Sequence, residues 1–361
     1  MADQVLEDLT ALLPPLLRSL EALAFVSRHL DPPRLPQVMQ VVGAPDADLG
    51  AALPRLQDWP EPLSEVRERL ETASDAVLKG FASLREAAGG ESYDIRTVFR
   101  AFGPLNRAQE ALYPLAAGLP PISRYFMSPG SRDDARLLQR LAEDPVHPDV
   151  GVFHEGGEPG ARGAWSAYAP EYYTPDRAWP LVMALHGGSG NGRNFLWSWL
   201  RDARSAGAIL IAPTAVGDTW ALNGPDPDTP NLISILEIAQ RRWRIDPTRL
   251  LLTGMSDGGT FSYVSGLQES PFTHLAPASA SFHPMLAAMA EPDRVRGLPI
   301  HITHGVRDWM FPVEMARQAR DSLADAGAEV TYREAPDLAH TYAREFNPEI
   351  LAWMDVTARA G

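Results

Sequence analysis

Cysteine is absent from the 361 residues. That excludes a disulfide framework, a thiol nucleophile and a thiolate metal site. Lysine is nearly absent too: Lys79 stands alone, so arginine carries almost all the positive charge, as GC-rich codon usage would produce. Positive charge as a whole is in deficit, 32 Lys and Arg against 46 Asp and Glu, for a formal net charge of −14. Such a balance argues against nucleic acid or an anionic membrane as a partner. Long apolar runs are missing as well. The stretch Ala11 to Leu17 is short and broken by Pro14-Pro15, so no membrane span is expected. Residues Met1 to Asp8 are acidic where a signal peptide needs positive charge, so the expectation is a cytoplasmic protein, or a secreted one if a leader was removed.

What remains is ordinary for a globular chain: 45% hydrophobic residues, and a length that suits one large core plus an addition. Residues 1–145 read as an all-helical domain. Leu6, Leu9, Leu13, Leu16, Leu20, Leu23 and Leu30 recur at helical spacing, with Pro14-Pro15 expected to mark a break or a new first turn. Leu63, Val66, Leu70, Ala73, Val77, Phe81 and Leu84 form a cleaner stripe, opened by Pro62 and closed by Gly89-Gly90. A third helical segment spans about Asp94 to Ala117, interrupted at Gly103-Pro104. Residues 146–162 carry clustered Pro and Gly and read as a linker.

From residue 163 to 361 the pattern changes to alternating strands and helices. Strands are expected over Ala164 to Ala169, Leu181 to His186, Ala208 to Pro213, Leu250 to Gly254, His274 to Ser281, Pro299 to Thr303 and Ala328 to Glu334. Helices fall between them, including Thr229 to Trp243, and a last one closes the chain at about Ala343 to Val356. This alternation predicts a doubly wound, mostly parallel α/β sheet.

Chemistry gathers where those strands end. The apolar run Leu250-Leu251-Leu252-Thr253 leads into Gly254-Met255-Ser256-Asp257-Gly258-Gly259, a Gly-x-Ser-x-Gly between a buried strand and a helix. A strand that must reverse into a helix so quickly puts the serine on a strained turn with its hydroxyl pushed outward. Ser256 is the candidate nucleophile. It needs a base, and the base needs an orienting partner. Downstream, Asp308 follows the strand at Pro299, and His340 follows the strand at Glu329, in the order Ser, acid, His. Upstream, the strand Pro180 to Leu185 ends in His186-Gly187-Gly188-Ser189, whose exposed N–H groups suit an oxyanion loop. Gly188 is assigned as one donor, with Gly187 or Ser189 open to within a position, and the N–H of Asp257 as the other.

These motifs together resemble the α/β-hydrolases, in particular the group of carboxylesterases, small phospholipase/carboxylesterases, feruloyl esterases and polyester depolymerases. The carriers are His186-Gly187-Gly188, the run Ile245 to Leu250 into Gly254–Gly259, His304-Gly305 with Asp308 and Pro312, and His340, over about residues 163–358. The resemblance implies a serine carboxylic-ester hydrolase that works through an acyl-enzyme without cofactor or metal. A thioesterase, lysophospholipase or other acyl hydrolase would need the same residues. A non-catalytic binding protein on a hydrolase frame is the reading from another class.

Competing assignments stand beside these. Asp337 lies near His340 in sequence but more naturally caps its loop. His301 and His304 precede the acid, where structural roles are expected, and His186 is expected to brace the oxyanion loop. Trp197, Trp199, Trp220, Asn223 and His283 follow strands and so could line the substrate pocket, though packed aromatics would occupy the same positions. Between the strands at His274 and Pro299 the chain is too short to hold a lid. Short-chain or aryl esters are therefore expected, and the N-terminal helices are expected to cover the site, to form a homodimer, or both.

Overall fold

The computed structural model describes residues 2–90 and 101–360. They form two compact units, Met1–Met127 and Ser128–Gly361. The start of the helical segment expected from Asp94 lies outside the described residues.

The first unit is helical. Its longest elements are Ala2–Arg28 and Ser64–Gly89, and Gly103–Leu112 packs along the latter. Leu70, Ala73, Val77, Phe81 and Leu84, the stripe expected from spacing, are all buried. The proline pair does not behave as expected. Ala2–Arg28 runs through Pro14 and Pro15 as one helix. Each interior proline costs about 3 kcal/mol in lost hydrogen bonding and ring clash. Leu12, Leu13, Leu16, Leu20 and Leu23 are all buried around the pair, and each such side chain contributes about 1.5–3 kcal/mol. Burial wins over local propensity. By length and composition this helix could also cross a membrane, contrary to the expectation from its broken apolar stretch, although 44% of its apolar 18-residue window is buried within the protein. Leu6, counted in the stripe, is exposed.

The helical unit ends at Met127, ahead of residue 145. The helix Ala135–Ala142 belongs to the second unit, where Arg140 sits over the ring of Tyr172 at 3.8 Å. Ser128 is tied there as well, its N–H donating to Ser205 Oγ at 2.8 Å.

The second unit is built on an eight-stranded sheet of order β1-β2-β4-β3-β5-β6-β7-β8. Its strands are β1 (Gly151–Glu155), β2 (Trp165–Ala169), β3 (Trp179–Leu185), β4 (Ile209–Pro213), β5 (Ile245–Met255), β6 (His274–Ala278), β7 (Pro299–Gly305) and β8 (Glu329–Ala335). From β4 to β8 all neighbours are parallel, and β1–β2 and β2–β4 are antiparallel. The central strands are buried on both faces, which explains their continuous apolar sequence. β1 occupies what reads in sequence as a linker. Its five residues are only half-buried and carry no alternation; pairing with β2 and stacking of Phe153 on Trp243 hold it. Between β6 and β7 lie two short helices, Met285–Met289 and Pro292–Val295. Parallel strands deliver their C-terminal ends to one edge, and the loops carrying Ser256, Asp308 and His340 all leave from that edge.

Candidate active site

Ser256 sits between β5 and the helix Asp257–Gly266 with φ 57° and ψ −121°. A non-glycine residue in this region stores roughly 1–3 kcal/mol of strain, which surrounding structure must hold. Its N–H donates to Ala278 O at 3.0 Å, pinning the turn to the end of β6, and its carbonyl accepts from Thr260 N at 2.8 Å. The flanking glycines are required by approach distance. A Cβ at Gly254 would lie 2.5 Å from Gly258 C and O, and one at Gly258 would lie 2.4 Å from the Leu185 and His186 carbonyl oxygens. No side chain fits at either position.

His340 lies in the loop after β8, only 3% exposed. Its Nε2 is 3.0 Å from Ser256 Oγ and its Nδ1 is 2.8 Å from Asp308 Oδ2. Gly305 permits this meeting, because a Cβ there would stand 2.2 Å from Leu338 O in the His340 loop. Arg307 N–H then donates to the same Leu338 carbonyl at 3.0 Å. The other oxygen of Asp308, Oδ1, accepts from the N–H groups of Met310 (2.9 Å) and Phe311 (2.8 Å). Burial on its own would raise the Asp308 carboxyl. The hydrogen bond and charge of His340, the Phe311 N–H and the charge of His304 outweigh it and hold the group below the ordinary carboxylate value. Asp337, the rival acid, is exposed.

The remaining histidines take other places. His304 donates from Nε2 to Phe311 O at 2.8 Å and lies 3.5 Å from Asp308 Oδ2, so it buttresses the acid turn. His301 packs edge-on against Trp353, 3.5 Å from Glu349. His186 accepts the Ala215 N–H on Nε2 at 3.1 Å, which leaves Nδ1 to donate to Gly187 O at 2.6 Å. Burial pushes its pKa down to about 4, so it stays neutral and ties the Gly-rich loop down without moving protons.

That loop lies against the serine. A Cβ at Gly187 would come within 3.6 Å of Ser256 Cβ, and one at Gly188 within 2.7 Å of Asp257 Oδ2. Ser189 adopts φ 58°, and Gly190 N–H closes a tight turn onto Gly187 O at 3.0 Å. Asp257 opens its helix, so its N–H is free of an intrahelical acceptor. Its side chain accepts from Thr219 Oγ1 at 2.6 Å, a contact that nothing in the local sequence signals. Gly192 is needed for packing: a Cβ there would meet Ala212 O at 1.9 Å.

The pocket expectations divide. Trp197 and Trp220 are packed side chains, 1% and 2% exposed, and Trp199 is fully buried. Trp220 stacks on Phe261 and donates to His186 O at 2.8 Å, so it supports the loop from below. Asn223 and His283 are exposed on loops. Two rings missed in the sequence flank the imidazole instead. Trp309 and Phe311 meet His340 edge-on, with centroids at 5.7 and 5.3 Å. Among the described residues, no group of three or more His, Asp or Glu side chains is placed to hold a metal ion.

No protein-family model matches the chain. A probable feruloyl esterase C from Aspergillus terreus is 28% identical over 153 residues, 40% of this chain and 54% of that protein. A bifunctional acetylxylan esterase/xylanase from Neocallimastix patriciarum is 29% identical over 159 residues, 42% of this chain and 22% of that protein. The match thus spans about half the length of the first relative and about a fifth of the second. Among solved structures, that of esterase PE8 matches 53% of this chain and 97% of its own at 19% identity, with a TM-score of 0.40. A likeness that distant adds nothing to the topology described above. On its sheet order and its strand–turn–helix serine, the Ser128–Gly361 unit has an α/β-hydrolase fold, and part of the chain is similar in sequence to these esterases.

Proposed function

We propose that the protein is a serine carboxylic-ester hydrolase acting on short-chain or aryl esters. One observation carries the reading: an unbroken chain from Asp308 Oδ2 through His340 to Ser256 Oγ, with separations of 2.8 and 3.0 Å, at a strained turn. In this mechanism Ser256 Oγ attacks the ester carbonyl carbon while its proton passes to His340 Nε2. Asp308 holds Nδ1–H and stabilises the imidazolium. The N–H groups of Gly188 and Asp257 receive the developing oxyanion. His340 then protonates the departing alcohol, and water, activated by the same imidazole, releases the acid from the acyl-enzyme.

The relatives, named for feruloyl and acetylxylan esters, support an ester over other acyl bonds. A fluorophosphonate probe is expected to label Ser256, located by peptide mass mapping. A panel of p-nitrophenyl esters of rising acyl length is expected to favour the shortest. Absence of an adduct at Ser256 would return the chain to a binding role on a hydrolase frame. Faster turnover of thioesters or lysophospholipids than of any carboxylic ester would replace the substrate class.

We further infer that the N-terminal helices serve the site as a cover, the protein as a homodimer contact, or both. The support is the short stretch between β6 and β7, whose helices of five and four residues leave no lid of the usual kind. Light scattering of the full chain should give twice the 39.5 kDa protomer mass. Removing residues 1–127 should lower that mass and broaden acyl-length selectivity. A soluble remainder with unchanged selectivity, from a full chain that is monomeric, would overturn both roles.

A further inference from the structure

Trp309 is 43% exposed, and Met310 beside it 44%. Single exposed apolar side chains are common on protein surfaces and need no explanation. The place of this one does. The indole meets the His340 imidazole edge-on, with centroids 5.7 Å apart and planes at 66°. Phe311 braces the same imidazole at 5.3 Å but is only partly exposed, leaving Trp309 as the ring open to solvent. Its backbone is held on both sides. Asp308 precedes it, and Asp308 Oδ1 takes the N–H groups of the two residues that follow it, while His304 clamps Phe311 O. The indole is therefore presented from a fixed turn, which limits the ordering cost of stacking a ligand on it.

Given the ester-hydrolase reading, on which this inference rests, the two halves of an ester do not meet the imidazole equally. The acyl carbon bonds to Ser256 Oγ. The alcohol oxygen must come within hydrogen-bond reach of His340 Nε2, because it leaves only on receiving that proton. The group attached to that oxygen is thereby carried to the imidazole and its exposed neighbour. We propose that Trp309 is a specificity-determining residue for the alcohol half of the substrate, binding a flat apolar ring on that half against the indole. The carbonyl oxygen, by contrast, is directed to the Gly187–Gly188 loop.

The test uses the full chain and two acetates whose acyl group is the same, benzyl acetate and ethyl acetate, with acid release followed by pH-stat. Ethyl 3-phenylpropanoate moves the ring to the acyl side. The quantity read is the ratio of kcat/KM for benzyl over ethyl acetate. W309A is expected to lower that ratio about tenfold, mainly through KM on the benzyl ester, the size of one lost aromatic contact with its buried area. W309F is expected to keep the ratio within about threefold. The ratio for phenylpropanoate over acetate should not follow these changes. An unchanged benzyl/ethyl ratio in W309A, with all three esters slowed alike, would make Trp309 a mere prop for His340 and overturn the proposal. A loss that followed the phenylpropanoate instead would move Trp309 to the acyl side and overturn it too. If the wild-type protein hydrolyses none of the three, the ester-hydrolase reading itself falls, and the proposal with it.

Discussion

Ser256→Ala is expected to lower kcat for p-nitrophenyl acetate by about 10⁶-fold, leaving only background hydrolysis. The size follows from the proposed covalent step. Without Oγ no acyl-enzyme forms, and His340 and the oxyanion donors have no nucleophile to serve. Folding should survive the change. Alanine meets the same φ of 57° as serine, and the Ser256 N–H to Ala278 O and Thr260 N–H to Ser256 O bonds involve backbone only. Circular dichroism and thermal unfolding within a few degrees of wild type would establish that the lost rate is chemical. Turnover near the wild-type value in S256A would remove Ser256 from the mechanism.

Asp308→Asn is expected to cost about 10⁴-fold in kcat with little effect on KM. The hydrogen bonds already in place dictate how the amide must sit. Oδ1 is fixed as an acceptor by the N–H groups of Met310 and Phe311, so the amide oxygen takes that position. The NH₂ is then turned toward His340 Nδ1, where the carboxylate oxygen had accepted at 2.8 Å. Facing a donor, Nδ1 must become the acceptor, which moves the proton to Nε2. A protonated Nε2 cannot take the proton of Ser256. The same change in Asp337 is the control, since that residue is exposed. A loss of less than tenfold in D308N, or a larger loss in D337N, would transfer the acid role. The depressed pKa of Asp308 adds a sign: its carboxylate persists below the ordinary value of about 4. Any fall in rate between pH 7 and 5 therefore belongs to another group.

Much of this arrangement was legible along the chain wherever a constraint acts between near neighbours. Gly254 and Gly258 flank Ser256 because Cβ atoms there would fall 2.4 to 2.5 Å from backbone, and that requirement leaves a spacing anyone can read. The central strands announce themselves because burial on both faces forces continuous apolar runs. Ser256, Asp308 and His340 each follow a strand because those strands all end on one edge of a parallel sheet.

Other features depend on partners far away in sequence. β1 has no pattern of its own and exists through pairing with β2. Pro14 and Pro15 read as a break, yet the helix passes through them because the leucines around them are buried. Trp197 and Trp220 looked suited to a pocket wall and are packed instead, whereas Trp309, never singled out, stands open beside His340. Asp257 receives Thr219 from 38 residues away.

The sequence by itself determined the fold class, the strained turn at Ser256, the Gly-rich loop at Gly187–Gly188 and the small set of acids and histidines from which a proton relay could be drawn. Steric exclusion and burial act through neighbouring residues or a regular period, and both leave a local trace. Only the tertiary structure decided that His340 lies 3.0 Å from a serine 84 positions earlier, that Asp308 faces it while Asp337 remains on the surface, and which aromatic rings meet the imidazole. Those choices depend on how closely two loops approach, as where Gly305 lets the Leu338 carbonyl in. Approach distances of that kind are set by the packing of the whole sheet, and no stretch of the chain records them.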